Sequence, residues 1–298
     1  MIYLALVGEQ PMPVLQPLWQ EKGFTSVQLI ASETTHAVAE YLADYIRSDP
    51  AMGIRKVHPV MVVNAYEMDS AIAAIRHLLE RHRYHKAVLN LTGGTKMMSI
   101  AAQQAARGTH ARLMYVSAEK RSLIYFSADS SDMQVIPIRV KVTVEQYFNA
   151  HGFDCSDSQN FGMRECEIPP PKQGDALEDH VYNLLSQSGL FDDVRRNVFI
   201  RRTNGCSEVT NELDVVVTCG GNLAVCSCKS GKVDNQVLYE LASLSRREVA
   251  GIYCGRVLVS SKKNLLPGVI NRAEQDGIRI ISAGELEDAA RIIHEIIH

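Results

Sequence analysis

Residues 89–102 read LNLTGGTKMMSIAA, and the parsing of this run decides the fold. Its first part is a continuous apolar run, as expected of a strand covered on both faces in a parallel sheet. Its last part, rich in Met, Ala and Ile, reads as a helix, and Gly93 and Gly94 lie between the two. A glycine pair at a strand-to-helix corner lets backbone N–H groups approach a ligand closely, and the helix start adds a partial positive charge. Such a corner suits an anion. Thr92, Thr95 and Ser99 add hydroxyls and Lys96 a full charge, which together describe a phosphate or nucleotide cradle better than a plain turn. The segment is neither GxxxxGK[ST], which needs four residues between its glycine and the GK pair, nor GxGxxG. The competing reading is a tight βα turn with Lys96 in solvent.

Working outward, the same alternation fills residues 1–140. IYLALVG, SVQLIAS and KVHPVMVVN read as strands, each followed by a segment with apolar residues at helical spacing, and RLMYVSA follows KMMSIAAQQAARG. The pattern predicts a Rossmann-like, doubly wound α/β domain. RSLIYFSA and DMQVIPIRV then follow one another across a short polar turn and read as antiparallel strands closing the sheet edge. Ligands of open parallel sheets bind outside the carboxyl ends of the strands. That rim carries Gly8, Glu9 and Gln10 after the first strand, Ser32, Glu33 and Thr34 after the second, Asn64 after the third, and Thr92 to Lys96 after the fourth. No acid–base pair with a nucleophile stands out there, so the rim reads as a binding site rather than a catalytic one.

Composition sets the limits. A chain of 298 residues, 46% hydrophobic, can bury a substantial core and suggests about two domains. A formal net charge of −3 argues against a protein that coats nucleic acid everywhere, while Arg195/Arg196, Arg201/Arg202, Arg246/Arg247 and Lys262/Lys263 permit local basic patches in the second half. No apolar run reaches the length of a membrane span and the start lacks signal-peptide features, so a cytoplasmic protein with no membrane partner is expected. The seven cysteines have no disulfide-framework spacing. Cys226 and Cys228 fall at period two on an apolar strand, which fits buried thiols better than zinc ligands.

Residues 141–175, with the helix candidate VEQYFNAHGF, a polar run and the PPPKQGD stretch, read as a linker. Residues 176–298 form a second α/β domain, whose informative part is the hairpin NELDVVVTCGGNLAVCSCKSG, residues 211–231. Period-two geometry puts Glu212 and Asp214 on one face of its first strand, and Ser227 and Lys229 on one face of its second. With Glu178 from the preceding helix, the set approaches a metal-dependent phosphodiesterase site. There, carboxylates hold a hard divalent ion and a lysine neutralises charge growing on phosphate. A surface hairpin with a cross-strand ion pair is the plainer alternative.

Two resemblances rest on these residues. The hairpin with its flanking helices resembles the PD-(D/E)xK restriction-endonuclease-like fold, whose pattern is matched by Asp214, Lys229 and Glu178, with Gln236 and Tyr239 resembling the helix motif that follows in some members. Ser227 stands where the second acid of that pattern falls, and Glu212 shares the face of Asp214. The TGGTK segment, with the VGEQPMP opening, resembles the CARF sensor domain, and the whole chain resembles the Can/Card class of CRISPR ancillary nucleases. This resemblance implies a homodimer that binds cyclic tetra-adenylate across its two-fold axis and cleaves single-stranded RNA and/or DNA with Mn or Mg. It implies catalytic roles for Asp214, Lys229 and Glu178; Glu212, on the face of Asp214, is the residue that could compensate for Ser227, which puts three acids, Asp214, Glu178 and Glu212, on the metal. The resemblance leaves room for a cyclic-oligoadenylate-binding regulator with an impaired nuclease-like domain, Ser227 being the lesion.

Overall fold

The computed structural model describes residues 1–156, 175–203 and 210–298. They divide into two compact units, Met1–Val140 and Lys141–His298.

The first unit runs β1 (Ile2–Leu6), α1 (Met12–Gln20), β2 (Ser26–Ala31), α2 (His36–Ser48), β3 (Lys56–Val57), β4 (Met61–Val62), α3 (Met68–Arg81), β5 (Ala87–Asn90), α4 (Lys96–Ala106), β6 (Arg112–Ser117), β7 (Ser122–Phe126) and β8 (Met133–Pro137). Its sheet has the order β3-β2-β1-β5-β6-β7-β8, with β4 also on β2. Strands β1 to β6 pair in parallel, and β7 and β8 close the edge antiparallel. Every residue of β1 is buried, as both-face coverage requires. Leu4, Leu6, Leu89 and Leu113 pack with Ile75 and Leu78 of α3 and Met98, Ala101 and Ala105 of α4.

One expected element differs. KVHPVMVVN is two short strands on β2, not one, because Pro59 lacks the N–H a ladder needs. The amide of Gln28 donates to the Pro59 carbonyl at 3.0 Å and holds the break.

The second unit runs α5 (Val144–Ala150), β9 (Phe153–Ser156), α6 (Asp175–Ser188), β10 (Asp193–Arg202), β11 (Asn211–Cys219), β12 (Asn222–Lys229), α7 (Asn235–Leu244), α8 (Arg247–Ala250), β13 (Gly255–Ser260), α9 (Pro267–Gln275), β14 (Arg279–Ile281) and α10 (Ala289–Ile297). Its sheet, β14-β13-β12-β11-β10-β9, is antiparallel from β9 to β12 and parallel from β12 to β14. The start of the expected linker is structured: α5 carries a full capping box between Thr143 and Gln146, and β9 pairs with β10. The PPPKQGD stretch lies almost wholly outside the described residues. Gly220 and Gly221, at φ 61° and 85°, make the two-residue turn of the β11–β12 hairpin. Val181 and Leu185 of α6 and Ile293 and Ile297 of α10 cover one face of the sheet, over Val215, Val217, Cys226, Cys228 and Val257. Burial, the largest influence, pushes the Cys226 and Cys228 thiols up, so both behave as inert packing.

Candidate functional site

The hairpin brings Asp214 and Lys229 together. Val215 pairs with Cys226, which sets Asp214 opposite Ser227. One carboxylate oxygen, Oδ2 of Asp214, accepts from the Ser227 hydroxyl at 3.2 Å, the Cys228 N–H at 2.8 Å and the Lys229 ammonium at 3.1 Å. Ser227 therefore donates to the acid rather than replacing it. Burial works against the charge on Lys229, but Asp214 first, then Glu240 and Glu178, outweigh it and hold its pKa above the ordinary lysine value. Lys229 remains an ammonium at neutral pH, able to neutralise a phosphate and unable to act as a base.

A cavity of about 30 Å³ beside this pair is lined by Glu212, Asp214, Ser227, Lys229 and Glu240. Glu178 does not line it, although its charge is felt at Lys229. Glu240 of α7 went unread in the sequence. The available signal was its i, i+4 spacing from Gln236, which puts both on one face of α7. Three carboxylates thus share a cavity with one ammonium, and carboxylate oxygens are the donors a hard divalent ion takes. Their spacing does not fit a bound ion as it stands: among the described residues no three His, Cys, Asp or Glu side chains are gathered to hold one.

The rim of the first unit is built differently. A Cβ on Gly93 would lie 2.1 Å from the Leu6 carbonyl oxygen, and one on Gly8 3.1 Å from the Gly94 nitrogen. The loops after β1 and β5 therefore touch backbone to backbone, and Gly93 is needed for that contact. Thr92 donates to Asn90 Oδ1 at 2.6 Å and accepts from the Val116 N–H at 2.7 Å. The buried Asn90 also donates to Tyr3 and to the Pro13 carbonyl. Thr95 caps α4 by accepting from the Met98 N–H, Ser99 donates to the Leu91 carbonyl, and Ser32 bonds with Thr34 and Thr35. The hydroxyls expected to face a ligand are thus engaged in holding the loops. Lys96, the first residue of α4, is exposed, and the N–H groups of the first helical turn have no carbonyl partner within the helix. Glu9 is exposed and Gln10 half-buried on the adjacent loop after β1.

A Rossmann-like unit with an open amide-and-lysine corner, and a mixed α/β unit with an Asp–Lys hairpin, define a sensor domain joined to a nuclease-like domain. Residues 2–147 match the Card1 CARF domain and residues 172–298 match the Card1-like endonuclease domain. The chain belongs to the Card1-like family of CARF-domain endonucleases. Its fold is similar to that of Can2 from Sulfobacillus thermosulfidooxidans in complex with cyclic tetra-adenylate, at 20% identity and TM-score 0.77 over 98% of this chain and 96% of that one. It is similar also to protein VC1899 from Vibrio cholerae, at 18% identity and TM-score 0.80 over 99% and 97% of the two chains. A type III CRISPR defence DNA nuclease activated by cyclic oligoadenylate matches at 17% identity and TM-score 0.68, over 98% of this chain and 51% of that one. No curated protein matches the sequence. Among the described residues no helix is long and apolar enough to cross a membrane.

Proposed function

We propose that this chain is a cytoplasmic CRISPR ancillary nuclease that binds cyclic oligoadenylate, most simply cyclic tetra-adenylate, at the rim of its CARF unit and cleaves phosphodiester bonds at the β11–β12 hairpin. The observation that carries the reading is the Asp214–Lys229 pair beside a cavity lined by further carboxylates. In this reading Lys229 neutralises the scissile phosphate, and Asp214 fixes the lysine in place. Glu212 and Glu240, with Glu178 behind, leave the cavity with more negative than positive charge, a surplus that a Mn or Mg ion would offset. Binding of the ion is tested without turnover: titration with Mn by calorimetry registers uptake in the wild type and its loss in Asp214→Asn.

At the rim, Lys96 and the first amides of α4 would take ligand phosphates, with Gly8, Glu9 and Gln10 on the neighbouring loop. A cyclic ligand with two-fold symmetry suits an isologous homodimer in which each protomer offers the same loop. The test of the whole reading is one incubation of purified protein with Mn and mixed single-stranded RNA and DNA, with and without cyclic tetra-adenylate. Cleavage only with the activator is expected. Activator binding with no cleavage under any metal would establish the regulator reading, which the Ser227 side chain at the acid position favours.

A further inference from the structure

The parallel strands β12, β13 and β14 end on one edge of the second unit, and Lys229 is the last residue of β12. The segment after β13 is fastened there. The Ser261 N–H donates to the Lys229 carbonyl at 3.3 Å, the Ser261 hydroxyl to the Ser230 carbonyl at 2.9 Å, and the Ala283 N–H to the Lys262 carbonyl at 3.2 Å. Loop 261–266 is thus held by backbone bonds beside the Asp214–Lys229 pair, and it carries Lys262 and Lys263, with Lys232 three residues beyond Lys229.

All three lysines are exposed, and none makes an ion pair or side-chain hydrogen bond among the described residues. Two acids on the flanking loops are engaged: Asp234 caps α7, and Glu285 is held by Arg279 and Ser282. The same edge exposes apolar surface. Leu266, at the start of α9, is 64% exposed, and Tyr239 of α7 is 51% exposed with Arg272 of α9 stacked 4.9 Å from its ring centroid. Unpaired cations interleaved with exposed flat or apolar side chains, next to a reactive pair, match what a single nucleic-acid strand requires: charge for its phosphates and surfaces for its unstacked bases. A duplex keeps its base faces stacked and offers them nothing.

We infer that loop 261–266 and the outward face of α7 form the binding wall for a single-stranded substrate, with Lys232, Lys262 and Lys263 on phosphates flanking the one at Lys229, and Tyr239 and Leu266 against unstacked bases. The inference rests on the nuclease reading. Its test is binding of labelled single-stranded oligonucleotides and of duplex DNA to the Asp214→Asn protein with cyclic tetra-adenylate, across about 50 to 200 mM salt. In that background the Lys262→Ala/Lys263→Ala variant should lower the slope of log affinity against log salt by about 1.4, from two lost phosphate contacts at about 0.7 each. Lys262→Arg/Lys263→Arg should keep the slope. Tyr239→Ala should keep it too and weaken strand binding about 5-fold or more, with duplex binding unmoved. An unchanged slope in the alanine pair, or a Tyr239 variant that binds strand as the parent does, overturns the wall while leaving the nuclease reading in place. A parent protein that binds no nucleic acid overturns both.

Discussion

The rim of the first unit and the hairpin of the second are both made from strand ends, yet they dispose of their polar groups in opposite ways. At the rim, Ser32, Thr92, Thr95 and Ser99 are all bonded to their neighbours, so the scaffold uses up its side-chain donors and presents backbone amides and one lysine. At the hairpin, one oxygen of Asp214 collects three donors while Glu212 and Glu240 line the same cavity with no hydrogen bond among the described residues. The first arrangement is preorganised: a ligand meets groups that need not move. The second gathers more carboxylate than ammonium at one cavity, a surplus that a cation would offset. On the proposed reading, a binding site and a cutting site are thus distinguished by which groups the fold leaves unsatisfied.

The largest expected effect breaks the rim. Gly93→Ala forces a Cβ into the Leu6 carbonyl at a separation no rotamer relieves, so it should cost the first unit about 3 kcal/mol in denaturant unfolding. Gly94→Ala, at φ 72° with only the Met98 side chain in the way, should cost about 1 to 2 kcal/mol. Equal costs would mean that the backbone contact with β1 is not what selects glycine. At the hairpin, Glu240→Gln should slow cleavage by on the order of 10²-fold if it serves as the acid that position 227 lacks. Ser227→Glu should then add little. A large gain from Ser227→Glu with an indifferent Glu240→Gln would return the role to position 227.

Smaller effects sharpen the contrast. Lys96→Ala should weaken cyclic tetra-adenylate binding by about 1.5 to 3 kcal/mol in calorimetry, the range for hydrogen bonds to charged groups. The smallest concerns pH. Because the folded pKa of Lys229 is raised, its pairing contributes stability fully below the ordinary lysine value of about 10.4, and loses it as pH rises through the folded value. With Lys229 about one third exposed, screening keeps that contribution under about 1 kcal/mol. The stability gap between wild type and Lys229→Gln should therefore stay flat from about pH 6 to 9 and narrow only in stronger alkali.

Strand and helix order was legible because periodicity and burial are local properties. β1 and β5 read as apolar runs and are wholly buried, and α3 carries its apolar stripe toward the sheet. Facing residues across the β11–β12 turn were legible too, since period two and a Gly-Gly turn set Asp214 opposite Ser227 with Lys229 on the same face. What was not legible depends on contacts far apart in sequence. Gly93 was read as making room for a ligand, but its tight neighbour is Leu6 on another strand. Thr92 was read as a donor to ligand, but Asn90 and the Val116 amide occupy it. Glu240 lay outside the hairpin and reaches the cavity only because α7 packs beside it. The break at Pro59 is a local property, since a residue without an N–H divides KVHPVMVVN into two pairings on β2.

The central claim is that the two units divide the work, the rim binding and the hairpin cutting. It is tested most directly by measuring cyclic tetra-adenylate affinity and activator-dependent strand cleavage side by side on wild type, Lys96→Ala and Asp214→Asn. The expected result is a double separation: Lys96→Ala loses affinity and recovers cleavage at saturating activator, while Asp214→Asn binds the activator as wild type does and cleaves nothing. An Asp214→Asn protein that cleaves at the wild-type rate would contradict the account.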